Sequence, residues 1–214
     1  IYSIPHAILC FLVYLLNKEL FLNCNNKTFY NWVLIFITTM LSLSEVTFVS
    51  SIGTSFNCIP FSICVVSALI LLIKHFKNEQ LNNLKLAGFL LGVAIGIELM
   101  SFVYFIAFIL TFILCASHQN LKTFFKSIGI ISLFSIIGFL IYDGYWAYSL
   151  FKYFGNPIFP YLNNIFKSDL MSFVNYQTQY TATNNLLILP LVWFNNLPQH
   201  IQVEMMPFFD LRHI

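Results

Sequence analysis

This sequence is short of charge. Asp, Glu, Lys and Arg make up 8% of its 214 residues, against roughly 25% in an ordinary soluble domain. A water-exposed surface cannot be built from so few charges, so lipid is the expected solvent. There is no block of one sign either. Ten basic against eight acidic residues leave a formal charge of +2, and the basic residues stand singly or in pairs, so no patch follows a phosphate backbone. Nucleic acid is not an expected partner.

The cysteines and histidines lack any ligand pattern. Cys10, Cys24, Cys58, Cys64 and Cys115 show no Cys-x-x-Cys spacing, and most fall in apolar runs, where a thiol behaves as a small hydrophobe. His6, His75, His118, His200 and His213 are far apart and read as loop residues. No metal, cofactor or disulfide framework is expected. The opening stretch has no basic n-region and no small-residue cleavage site, which argues against a signal peptide. The chain opens at Ile1 without Met and stops at Ile214 after a charged stretch, so it is expected to be part of a longer protein.

What the sequence does contain is apolar: 59% hydrophobic and 18% aromatic residues, in runs that approach the length of a bilayer span. The fold expected is all-α, a polytopic transmembrane bundle over 1–141 with about six segments, at 4–22, 32–49, 59–75, 86–97, 101–115 and 128–141. After it comes an extracytoplasmic segment, 142–214, rich in aromatics, Pro and Asn, with a short apolar stretch at 186–194.

Orientation follows from Lys and Arg in short loops, which favour the cytoplasm. Residues 74–85 and 117–126 are both basic, so an even number of crossings separates them. The apolar stretch 86–115 would be about 45 Å long as one helix, long for one upright span and short for two. A hairpin of two tilted segments broken near 96–101 meets both demands; one long tilted helix competes with it.

Several residues stand out against this background. Gly88, Gly92 and Gly96 are four apart, which places three positions without side chains on one helical face and suits close helix packing better than a substrate role. Glu98 interrupts an apolar stretch and marks either a cavity or an interfacial turn. Glu45 is an interfacial carboxylate or a site residue. Tyr145, Tyr148 and Lys152 share a helical face beside Trp146 and Tyr153. Such a face is an interfacial belt, and its cation can meet a lipid phosphate. From Gly155 to Asp169 two prolines and three asparagines demand an ordered turn, which carries Asn156 and Lys167.

Three stretches carry a resemblance: Phe48-Val-Ser-Ser-Ile-Gly-Thr-Ser-Phe-Asn-Cys-Ile, Ala87-Gly-Phe-Leu-Leu-Gly-Val-Ala-Ile-Gly-Ile-Glu-Leu-Met and Phe154-Gly-Asn-Pro-Ile-Phe-Pro-Tyr-Leu-Asn-Asn-Ile-Phe-Lys-Ser. Over roughly residues 45–214 the chain resembles bacterial polytopic GT-C-type membrane glycosyltransferases. The resemblance implies a polyprenyl-phosphate-linked sugar donor, work at the extracytoplasmic face of the bacterial inner membrane, and a part in cell-envelope glycan assembly. Its catalytic carboxylate would lie upstream of Ile1, so the catalytic residue is unknown. Cys58 and Glu98 depart from the pattern, which would have an acidic and a basic residue there.

Under this reading Lys152 and Lys167 meet donor phosphate, Glu45 supplies a carboxylate, and Asn57 and Asn156 hydrogen-bond sugar hydroxyls. The alternatives are a multi-pass transporter or flippase, with Glu98 near the midplane, and a noncatalytic membrane protein.

Overall fold

The computed structural model describes residues 3–21, 29–44, 58–115, 121–159 and 161–168. Among them all regular structure is helical: α1 (Ser3–Phe21), α2 (Phe29–Leu43), α3 (Cys58–Asn78), α4 (Leu81–Ile97), one 3-10 turn (Leu99–Ser101), α5 (Phe102–Cys115), α6 (Leu121–Phe154) and the single turn α7 (Asn163–Phe166). Three helices are long and apolar enough to cross a membrane, over Ile4–Phe21, Ile59–Asn78 and Lys122–Phe154. Phe29–Leu43, Leu81–Ile97 and Leu99–Cys115 are shorter apolar helices. The last five residues of the span expected at 32–49, and the stretch 186–194, lie outside the described residues.

Helix α4 is the hub. Leu84, Ala87 and Leu91 on it pack with Ala68 and Leu72 of α3, Phe108 and Phe112 of α5 and Ile131 of α6 in one buried cluster. Its other face carries the glycines. A Cβ at Gly88 would lie 2.5 Å from the Ile131 carbonyl oxygen, and one at Gly92 would overlap the Ser135 carbonyl. From the α6 side, a Cβ at Gly138 would overlap the Phe89 carbonyl. Residue numbers rise together along the seam, so α4 and α6 run parallel with their backbones in contact. This is close packing through small residues, the main source of helix association once lipid has removed the hydrophobic drive.

The stretch 86–115 is two helices. Helix α4 ends where Glu98 turns extended, at φ −146° and ψ 116°, with its N–H still donating to the Ala94 carbonyl at 3.0 Å. The Ser101 N–H then donates to the Glu98 carbonyl at 2.9 Å, and α5 returns antiparallel. Its Phe112 ring stacks 5.4 Å from Phe76 at the end of α3 and 6.0 Å from Phe124 at the start of α6.

Helix α3 ends at Glu79 in the left-handed region, φ 52°. His75, expected in a loop, is buried in the last turns of α3, and its Nδ1 donates to the Gln80 carbonyl at 3.0 Å. The two-residue turn between α3 and α4 is thereby closed from inside. Lys77 donates to the backbone carbonyl and, at 3.1 Å, the carboxylate of Glu19, so the C-terminal ends of α1 and α3 meet. Lys74, Lys77, Lys85, Lys122 and Lys126 gather at this end of the bundle, and Glu98 lies at the other.

One boundary needs correction. The span expected at 128–141 is the middle of a 34-residue helix, and the division drawn at 141/142 falls inside it. Tyr, Trp and Phe are ordinary helix formers, and Gly144 alone costs only about 1 kcal/mol. Helix α6 runs on until Gly155-Asn156-Pro157 stops it.

The seam makes a prediction of opposite signs. Gly92→Ala drives a methyl into the Ser135 carbonyl and should destabilise by about 1–3 kcal/mol. Gly129→Ala, on the same helix pair but with nothing within 4 Å of the new Cβ, should stabilise by up to about 1 kcal/mol. Thermal unfolding in detergent checks both, and equal shifts would contradict the seam.

Candidate functional site

The candidate residues that the structure describes lie at the end of α6 away from the basic cluster. The register along the seam sets Gly96 against Tyr142 and Asp143, where a glycine Cβ would come within 3.0 and 3.1 Å of their side chains. Since α4 stops at Ile97 and α6 continues to Phe154, the last dozen or so residues of α6 overhang the hairpin turn by about 18 Å. The overhang is aromatic and bare: Tyr145 is 84% exposed, with Trp146, Tyr148, Phe151 and Tyr153 also exposed. Lys152 is exposed among them, its ammonium 6.0 Å from the centre of the Tyr153 ring, at the edge of cation–π range.

Beyond the overhang the chain folds into a small knob. Gly155 caps α6 at φ +66°, its N–H donating to the Phe151 carbonyl at 2.8 Å. Nothing lies near its absent side chain, so the positive φ is what favours glycine here. Asn156 has no exposed surface. Its Nδ2 donates to the Tyr161 carbonyl at 2.8 Å and its Oδ1 accepts from the Ile158 N–H at 3.0 Å. Phe154 and Phe159 stack nearly parallel, 4.5 Å between centres.

Asn163 repeats the device one turn later, donating to the Ser168 carbonyl at 3.2 Å and accepting from the Ser168 N–H at 2.9 Å. Leu162 and Lys167 flank α7 in the left-handed region, φ 51° and 53°. Each costs roughly 1–3 kcal/mol of strain unless the surroundings hold it, and the Asn163 clamp spans both ends of α7. The knob is rigid by construction.

The expected site residues therefore divide. Lys152 and Lys167 are exposed at this end of the fold. Asn156 is committed to the turn and, with no exposed surface, offers nothing to a sugar hydroxyl. Glu45 and Asn57 lie outside the described residues. Glu98 is half-buried at the tip of the α4–α5 hairpin, at an end of two short helices and not halfway along one. Asp143 and Ser101, which sequence reasoning passed over, belong to the same level. Ser101 is 2% exposed and its hydroxyl has no hydrogen-bond partner. Among the described residues no group of three His, Cys, Asp or Glu could hold a metal ion.

The chain matches no known family model, no curated protein and no solved structure.

The knob can be tested without a ligand. Asn156→Ala strands the Tyr161 carbonyl and the Ile158 N–H, and leaving a buried polar group unpaired costs about 1–3 kcal/mol. Limited proteolysis should cut the variant within 155–168 while the intact protein resists. Equal cleavage of both would mean that Asn156 does not hold the turn.

Proposed function

We propose that this chain is a polytopic integral membrane protein of the bacterial inner membrane, and that the end carrying the overhang acts on a polyprenyl-phosphate-linked sugar, as a membrane glycosyltransferase does, in cell-envelope glycan assembly. Six segments cross or enter the bilayer in this reading, with the basic end in the cytoplasm, following the preference of Lys and Arg for that side. The overhang is then extracytoplasmic.

The observation that carries the proposal is the bare aromatic face of α6 with Lys152 in it. Some 20 helical residues cross the hydrocarbon core. Counted from Lys126 at the cytoplasmic boundary, they end near Tyr145 and Trp146, the residues that favour the opposite interface. Lys152 then stands about 9 Å farther out, among the phosphates. Lys167, held on a strained and clamped backbone, is the second cation available there. The sequence resemblance supplies the sugar and the transfer chemistry.

A transporter would need a polar site near the midplane. The turn at Glu98 ends two short helices and gives no such site, so this reading has the weaker support.

The test uses the full-length gene product in proteoliposomes with a radiolabelled polyprenyl-phosphate hexose. Lys152→Ala should weaken donor binding about fivefold, since a cation near an anionic headgroup contributes about 1 kcal/mol, with Lys167→Ala acting similarly. Loss of folded protein instead of affinity would argue for a structural role. Absence of both donor binding and sugar transfer in the unaltered protein would overturn the proposal.

A further inference from the structure

Charge is divided unevenly between the two ends of the bundle. Among the described residues, Lys18, Lys74, Lys77, Lys85, Lys122 and Lys126 lie at one end with only Glu19 and Glu79 against them, while Lys152 and Lys167 at the other end are matched by Glu98 and Asp143. Glu19 is already committed, to Lys77 at 3.1 Å and to Lys74 at 4.0 Å. Lys18, Lys85 and Lys126 have no ion pair or hydrogen bond among the described residues. Helices α4 and α6 both begin at this end, and neither has an acidic residue in its first turn to offset the positive end of its dipole. The described fold does not neutralise this excess from within.

The lysines are held in one layer. The Phe76, Phe112 and Phe124 rings, 5.4 and 6.0 Å apart, tie the ends of α3 and α5 to the start of α6. The close approach of Gly88 to Ile131 sets α4 against α6, and counted back from it along each helix, Lys85 and Lys126 differ in height by about 3 Å. Large apolar side chains stand exposed among these cations: Leu20 near Lys18, Leu81 and Leu86 on either side of Lys85, and Phe125, 66% exposed, beside Lys126. Cations interleaved with bare apolar surface match an amphiphile, whose anionic group and hydrocarbon meet at one depth. A free phosphate ion would use the charge and leave the apolar surface uncovered.

We propose that this layer binds anionic phospholipid of the leaflet it faces, with Lys85 and Lys126 as the principal cations for the headgroup phosphate. Their stems run along the apolar surface and deliver the ammonium groups to headgroup level. Recognition is by charge, so salt screens it. The inference rests on membrane embedding, for which the three long apolar helices speak, and uses neither the sugar donor nor the sidedness of the bundle.

The experiment takes the full-length protein in phosphatidylcholine proteoliposomes with trace spin-labelled phosphatidylglycerol or spin-labelled phosphatidylcholine, and reads the motionally restricted fraction of each label. Phosphatidylglycerol should be preferred about fivefold, the factor that one lysine near an anionic headgroup supplies. The preference should largely vanish in about 1 M salt, where the screening length is about 3 Å. Lys85→Gln combined with Lys126→Gln should bring the two lipids close to parity at an unchanged melting temperature, whereas Lys85→Arg combined with Lys126→Arg should keep the preference. Should the glutamine pair melt early, Lys126→Gln alone, at an exposed position, carries the same comparison. Equal uptake of both lipids by the wild type overturns the proposal, as does a full preference in the glutamine variant or an equal loss in the glutamine and arginine variants. Abolition of the preference by soluble glycerol phosphate would assign the cations to a free phosphate and overturn the lipid. A protein without transfer from the polyprenyl-phosphate donor but with the lipid preference intact would remove the transferase and leave this surface standing.

Discussion

Backbone contact between α4 and α6 is the constraint on which the rest of this structure depends. Gly88, Gly92 and Gly138 let main-chain carbonyls of one helix occupy the space where side chains of the other would stand. In lipid, two apolar helices gain little by hiding from solvent, so closeness itself has to supply the association, through dispersion and aligned peptide groups. Once α4 and α6 are locked in register, α3 and α5 have a fixed partner, and Ala68, Leu72, Phe108 and Phe112 fill the remaining sides of α4. A hub packed in this way is apolar from Leu86 to Ile97, and its polar residues, Asn82, Asn83 and Lys85, stay in its first turns.

The same register separates the two ends of the molecule chemically. Two adjacent features fix the basic end: His75 closes the turn between α3 and α4 from within, and Glu19 gathers the end of α3 onto α1 through Lys77. The opposite end is fixed by length. Helix α4 is 17 residues long and α6 is 34, so parallel alignment from one end forces an overhang at the other. The exposed aromatic face of α6 follows from that mismatch, without any need for a partner helix shaped to cover it.

Much of this was legible before the structure. Glycines at a spacing of four announce a packing face, and two basic loops around an apolar stretch too long for one span and too short for two point to a break near 96–101, where α4 ends. The continuity of α6 was not legible. Its composition changes at Tyr142 from aliphatic to aromatic, a shift that reads as a segment boundary although the helical backbone runs on unbroken. The roles of the asparagines were hidden for a related reason. Asn156 in a loop near two lysines looks like a ligand contact, but its Nδ2 and Oδ1 are both used by the turn's own backbone, and only three dimensions reveal which carbonyl and which N–H it meets. His75 shows the reverse, since a histidine between lysines looks solvated until Phe112 and the Gln80 carbonyl are seen to enclose it.

Two buried polar groups at the end away from the lysine cluster, Asn156 and Ser101, are treated in opposite ways. The knob satisfies Asn156 completely and uses it to hold the backbone in place, including near the left-handed Leu162. The hairpin turn buries the Ser101 hydroxyl and gives it nothing. Either choice affects stability by a few kcal/mol at most, for a polar group in a low-dielectric setting costs about 1–3 kcal/mol when unpaired. Among the described residues, the buried amides just past the end of α6 are paired through the turn backbone, while the Ser101 hydroxyl in the turn after Glu98 is left open. That place is also where α6 loses its helical partner and shows tyrosine and tryptophan, so polar demand and exposed aromatic surface coincide at the foot of the overhang.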